Sequence, residues 1–112
     1  MKKIEAIIRP SKLDDIKEAL SKFGIQGLTV SQVVGCGLQS GHKEVYRGIE
    51  YSLNLIPKVK IEVVTKDELV ENILKIFLDI GRTGEIGDGK LFIYNVENAI
   101  KIRTGEQGND AI

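Results

Sequence analysis

Lys3-Ile4-Glu5 recurs as Lys60-Ile61-Glu62, 57 positions later, and the apolar pattern after the first copy recurs after the second. Leu13, Ile16, Leu20, Phe23 and Gly24 map onto Val70, Ile73, Phe77, Ile80 and Gly81. A unit used twice leaves few folds open to a chain of 112 residues, a length that suits one domain with a single core. Each copy opens as a strand, with Ile4, Ala6 and Ile8 on one face of the first and Ile61 and Val63 on one face of the second. Apolar residues then step by three or four, the period of an amphipathic helix. Ser11 with Asp14, and Thr65 with Glu68, have the pattern of N-terminal capping pairs, while Gly24 and Gly81 suit the position just past a helix C-terminus. A further strand comes after each helix, over residues 28–34 and 91–96.

The resulting order, βαββαβ, is an α+β fold, the ferredoxin-like double split unit. Both helices of such a fold cover one face of an antiparallel sheet, and the other face is normally solvated. Here Ile7-Ile8, Val63-Val64 and Leu91-Phe92-Ile93-Tyr94 put apolar residues on both faces. That second face needs cover, either from self-association with closed cyclic symmetry or from the C-terminal segment beyond Ala99.

Sixteen basic and sixteen acidic residues cancel, which argues against a nucleic-acid or anionic-membrane partner. One cysteine, Cys36, excludes an internal disulfide framework, and the chain opens without a signal-peptide pattern. Residues 23–42 carry no formal charge, but polar residues and glycines punctuate them, so they do not read as a membrane span. The expectation is a soluble, intracellular protein.

Between the second helix and the last strand lies Thr83-Gly84-Glu85-Ile86-Gly87-Asp88-Gly89-Lys90. Glycines permit positive φ and close approach of the backbone to a ligand, so successive N–H groups can converge on an anion. The segment nearly matches the G-x-x-x-x-G-K phosphate loop, but Leu91 stands where Ser or Thr holds Mg²⁺, and the order helix–loop–strand is reversed. It is either a glycine-rich connector or an anion site of another kind. Gly35-Cys36-Gly37, Lys58 and Lys101-Ile102-Arg103-Thr104-Gly105 supply further amides and cations for such a site. No nucleophile–base pair is evident. The lone His42 sits on a loop and, with the lone Cys36, makes a poor zinc site. A binder of a phosphorylated small molecule outranks a phosphoryl-transfer enzyme using Lys90 and Arg103, or a plain interaction module.

Nearly twenty residues between Gly37 and Pro57 show no helical period, and a connection of that length in a compact domain is commonly functional or disordered. Arg47-Gly48 reads as a turn between Val45-Tyr46 and Tyr51-Ser52-Leu53, giving either a surface hairpin or a docking arm with Arg47 and the tyrosines as anchors.

Two of these stretches carry a resemblance. Tyr46-Arg47-Gly48-Ile49-Glu50-Tyr51 resembles the modification-loop signature of the PII nitrogen-regulatory signal-transduction proteins (GlnB/GlnK type), and residues 83–92 resemble their nucleotide-binding loop. The similarity spans essentially the whole chain as one domain, with a long partner-binding loop over about 37–56, a nucleotide loop at 82–90 and a C-terminal loop at 101–112. It implies a cytoplasmic, non-enzymatic homotrimer. ATP or ADP would bind in the clefts between subunits, and 2-oxoglutarate would bind together with ATP and Mg²⁺. The long loop would report the bound state to partners: an ammonium transporter, glutamine synthetase or other nitrogen-metabolism proteins. Any contact with a membrane would run through the transporter.

Carried over residue by residue, the resemblance implies that Gly87, Gly89 and Lys90 grip the phosphates, with Gly37 offering a backbone N–H and Arg103 a guanidinium. The nucleotide set also takes in Leu38, Asp88 and Lys101, while Thr29, Glu62 and Val64 frame the base and ribose. Gln39 would hold Mg²⁺ with 2-oxoglutarate, whose carboxylate would meet Lys58 beside Gly87. Arg47 would enter the transporter, and Tyr51 is the site that some members uridylylate. Leu38 and Lys101 replace arginines frequent in bacterial members, which implies altered nucleotide affinity or ATP/ADP discrimination, with Arg82 as a compensating cation. Ile49 replaces a small residue or the serine that cyanobacterial relatives phosphorylate.

Overall fold

The computed structural model describes residues 1–38, 44–46, 49–51 and 53–112. In chain order the elements are β1 (Lys2–Ile8), α1 (Leu13–Phe23), β2 (Thr29–Leu38), the short strands β3 (Glu44–Tyr46) and β4 (Ile49–Tyr51), β5 (Leu53–Thr65), α2 (Val70–Gly81) and β6 (Gly89–Asn95). Four of the strands form one antiparallel sheet in the order β2-β5-β1-β6, the arrangement that the repeat implies. Across the two central strands Ile4 faces Val63, Ala6 faces Ile61 and Ile8 faces Val59. These six join Ile16 and Leu20 of α1 and Val70, Ile73 and Phe77 of α2 in one buried core. Burial of each large aliphatic or aromatic side chain contributes roughly 1.5–3 kcal/mol, so the twin apolar faces carry the fold.

The helix starts differ from the expected capping pairs. Each helix is entered through a 3₁₀ turn, Pro10–Lys12 before α1 and Asp67–Leu69 before α2. Ser11 lies inside the first turn, Thr65 is a buried strand residue, and neither helix has a side-chain cap. Backbone bonds do the work instead: the Lys12 N–H donates to the Arg9 carbonyl (3.0 Å) and the Leu69 N–H to the Lys66 carbonyl (3.1 Å). The repeat therefore persists at the level of backbone turns, where polar spacing suggested side-chain caps.

The two copies part at their closing glycines. Gly24 caps α1 in the left-handed region, at φ 110°, as expected. Gly81 instead remains inside α2, buried, and the chain leaves extended at Arg82. A Cβ on Gly81 would make an ordinary 3.7 Å contact with Ile16 Cδ1. Gly24→Ala is thus expected to destabilise by about 1 kcal/mol, and Gly81→Ala to stabilise by up to about 1 kcal/mol. Urea unfolding of the two variants measures this, and shifts of the same sign would contradict the assignment.

Ladder pairing of β2 with β5 continues through Gly37 opposite Asn54 to Leu38 opposite Leu53, so the stem of the expected long loop is strand. Pro57 sits in that extension, past the end of β1, which pairs with β5 only from Val59 onward. A proline there removes no bond between β5 and β1. Beyond the stem, β3 and β4 pair with each other, Tyr46 opposite Ile49. Gln39, His42, Arg47 and Gly48 lie outside the described residues.

The helix-free face is less apolar than the strand patterns suggested. Lys3, Glu5, Lys60 and Glu62 run through it, with Lys3 and Lys60 each ion-paired to Glu62 at 3.6 and 3.8 Å. Lys3 Nζ also lies 4.6 Å from the Tyr94 ring centre, and the Tyr94 hydroxyl donates to Glu5 at 3.3 Å. Phe92 and Tyr94 each remain 43% exposed on β6, so the C-terminal segment leaves the β6 side of this face open.

Candidate functional site

The residues singled out by the sequence fall into two groups on the same sheet. The first surrounds the glycine loop, where β6 begins and β1 ends. Gly89 pairs with Ile8, and a Cβ placed on it would lie 1.7 Å from the Ile7 carbonyl oxygen, so no other residue fits there. Gly84, Gly87 and Gly89 all have positive φ, at 89°, 104° and 100°. Asp88 closes the loop into a ring. Its carboxylate accepts from the Thr83 hydroxyl, the Thr83 N–H (2.8 Å), the Gly84 N–H (2.9 Å) and Arg9 Nε (3.0 Å). The Thr83 hydroxyl first, and then these other donors, hold the Asp88 carboxyl well below the usual carboxylate range. Arg9 also donates to the Ile86 carbonyl at 3.0 Å, and Lys58 Nζ donates to the Gly87 carbonyl.

Glu85 to Asp88 forms a tight turn at Ile86-Gly87, and among the described residues no hydrogen bond takes the N–H groups of Ile86 and Gly87. Consecutive amides near positive-φ glycines can converge on an anion; Lys58 reaches this loop, and Lys90 is exposed just after it. The Asp88 carboxylate is already engaged by the donors of the ring. Because folding depresses the Asp88 pKa, its stabilising contribution is complete above the carboxyl's ordinary value of 3.8 and is lost only as pH falls further, through the folded value. The Thr83 and Gly84 amide resonances are accordingly expected to hold their positions from pH 7 to about pH 4. A transition centred at the ordinary carboxylate value would contradict the ring.

The second group lies at the opposite end of β2 and β5. Thr29 is the cross-strand partner of Glu62, and Val64 follows on the same face. With Lys3, the α1–β2 connection and the C-terminal residues Ala111 and Ile112, they line a cavity of about 590 Å³, within the usual size range of small-molecule sites. Lys58 and Glu62 are four residues apart on one strand face, roughly 13 Å. Lys101 and Arg103 belong to a C-terminal turn in which the Lys101 N–H donates to the Glu106 carbonyl (2.9 Å) and Ile100 bridges Gln107. Lys101 Nζ is ion-paired with Glu106 at 3.8 Å, while Arg103 is exposed. Asn98 ties that turn down, accepting from the Ala99 and Gly108 N–H groups at 2.9 and 3.1 Å. Gly37, Leu38 and Tyr51 lie on strands, and Gln39 and Arg47, assigned to metal and partner contact, lie outside the described residues.

Arg9 and Asn98 were not evident as site residues in the sequence. Arg9 had one available signal: pairing the first and last strands of the doubled unit sets the residue after Ile8 beside the glycine loop.

A doubled βαβ unit with a glycine-rich loop at one end of the sheet and a cavity of small-molecule size at the other describes a small α+β domain with two candidate binding features. Comparison with known proteins gives the family. The family model "Nitrogen regulatory protein P-II" matches residues 1–106. The chain is 56% identical over 112 residues to the nitrogen regulatory protein P-II of Haemophilus influenzae and 57% identical to that of Rhodospirillum rubrum, each alignment covering all of both chains. Its fold is similar to a solved structure titled "Structure of B. subtilis GlnK", with a TM-score of 0.85 and 40% identity, covering 99% of this chain and 97% of that one. The chain belongs to the nitrogen regulatory protein P-II family. Its role is signal transduction in nitrogen regulation, and it is a regulator and not an enzyme.

Proposed function

We propose that the chain senses ATP, ADP and 2-oxoglutarate, and that the observation carrying this reading is the glycine loop whose Ile86 and Gly87 amides have no partner among the described residues, with Lys58 reaching the Gly87 carbonyl and Lys90 exposed at the loop's end. Phosphates bind these amides, Arg103 and Lys101 reach them from the C-terminal turn, and the base enters the cavity at Thr29, Glu62 and Val64. Each half is incomplete alone: the loop has amides and cations but no base pocket, and the cavity has room but no such amides. A homotrimer in which one subunit's loop faces its neighbour's cavity completes the site three times, and it covers the exposed Phe92 and Tyr94.

2-Oxoglutarate takes Lys58 beside Gly87. Among the described residues no group of three or more His, Cys, Asp or Glu side chains stands together, so Mg²⁺ in this reading takes its oxygens from both ligands and Gln39. Arg47 docks an ammonium transporter from the cytoplasm, with glutamine synthetase or other nitrogen-metabolism proteins as further partners, and Tyr51 is a modification site. No helix among the described residues is long and apolar enough to cross a membrane itself.

Lys90 is the point charge of the site, so Lys90→Ala tests the reading. Calorimetry with ATP is expected to show about a tenfold loss of affinity, or ~1.4 kcal/mol. Unchanged affinity would return the glycine loop to the status of a connector.

A further inference from the structure

Arg9 leaves β1 in extended conformation, at φ −65° and ψ 136°, immediately before the turn that opens α1. From there its guanidinium forks between two acceptors on the glycine loop, the Asp88 carboxylate and the Ile86 carbonyl, each at 3.0 Å. The two acceptors bracket Gly87. A Cβ on Gly87 would be 3.3 Å from an Arg9 terminal nitrogen and 3.6 Å from Lys58 Nζ, so the two cations converge on that residue from β1 and β5. Their roles differ. Arg9 is ion-paired with Asp88, and that pair is close to neutral, so it adds little net charge for an anion. Among the described residues Lys58 meets a carbonyl there and no carboxylate, which leaves its charge uncompensated by them. Both members of the Arg9–Asp88 pair are largely shielded, with side chains 29% and 23% exposed, which suits a fixed strut.

We propose that Arg9 is a positioning residue for the anion site: by clamping Asp88 and the Ile86 carbonyl together, it holds the ring that presents the Ile86 and Gly87 amides. The proposal rests on reading the loop as the phosphate site. A planar fork suits the task because it fixes two acceptors in one geometry, whereas a lysine delivers charge to one point. The loop is thereby tied to β1 twice, through the clamp and through the close packing of Gly89 on the Ile7 carbonyl, before any ligand arrives.

The test is a double-mutant cycle in the full chain, read by calorimetry with ATP, alongside hydrogen exchange of the Thr83 and Gly84 amides without ligand. Arg9→Ala is expected to weaken ATP binding about tenfold in the native background but less than about twofold in an Asp88→Asn background, because both changes break one ring. Arg9→Lys should recover only part of the loss. In the ligand-free protein, Arg9→Ala should speed Thr83 and Gly84 exchange about tenfold. Additive losses, or full affinity in Arg9→Lys, would show that Arg9 acts on the ligand through its charge and would overturn the clamp. So would unchanged exchange, or a lowered unfolding midpoint with affinity intact. Failure of the native chain to bind ATP would remove the phosphate reading, and ligand-free exchange would still decide the clamp.

Discussion

Alanine at position 89 is expected to lower ATP affinity by at least about 100-fold, ~2.7 kcal/mol, while the chain still folds. The new methyl group would lie 1.7 Å from the Ile7 carbonyl oxygen and 2.8 Å from its carbon, and both atoms are backbone of a central strand. Neither can swing aside as a side chain does. The residue also sits at φ 100°, a region that alanine rarely adopts. The start of β6 must therefore part from the end of β1, drawing Asp88 away from Arg9 and opening the ring that presents the amides. The rest of the β1–β6 ladder, from Lys2 opposite Asn95 to Ala6 opposite Leu91, stays clear of the clash, and the core lies elsewhere. A loss of about 1–3 kcal/mol in stability is expected alongside the binding defect. ATP calorimetry and urea unfolding of the variant measure both, and affinity within about threefold of the native chain would contradict the placement of the anion site.

How far the sequence disclosed this architecture depends on the range of the interaction. Apolar periodicity is a local signal, and it placed both helices and the central strands, because Ile4, Ala6, Ile8, Ile61 and Val63 all entered the core. Capping at Ser11 and Thr65 did not form, because a hydroxyl three residues before a carboxylate fits either a cap or a strand end leading into a 3₁₀ turn. Gly24 and Gly81 are indistinguishable as letters, yet the second is buried in α2 beside Ile16 and the first is a left-handed cap. Pro57 and the stem pairing of Gly37 with Asn54 show the same limit: a strand overhanging its neighbour leaves no periodic trace.

The site divides similarly. The glycine loop announced itself through composition, Lys58 was among the candidate cations for an anion site, and the resemblance gave it a ligand. Arg9 reaches Asp88 across 79 residues of sequence, and Lys58 reaches Gly87 across 29, so neither contact is visible without the sheet register. The charge ladder of Lys3, Glu62 and Lys60 also needed cross-strand neighbours to appear, and it tempered the expectation of a bare apolar face.

The central claim is that two ligands share one site and that the second depends on the first. In the ligand-free chain the Lys58 ammonium is already donated to the Gly87 carbonyl, the same peptide region that is to receive phosphate. A 2-oxoglutarate carboxylate must compete with that carbonyl for Lys58, and Arg9 is already held by Asp88. In the proposed reading, nucleotide bound at the loop would compete for the Gly87 peptide, and Mg²⁺ brought with ATP would supply a second anchor for the keto acid. Coupling between sites of this kind is typically ~1–3 kcal/mol, or about 5–150-fold in affinity. The decisive measurement is a calorimetric titration of 2-oxoglutarate into the full chain, alone, with Mg-ATP and with Mg-ADP. Saturable binding with Mg-ATP, and at least about tenfold weaker binding in the other two conditions, is the expected result. Binding that is equal in all three conditions, or absent from all three, would contradict the account.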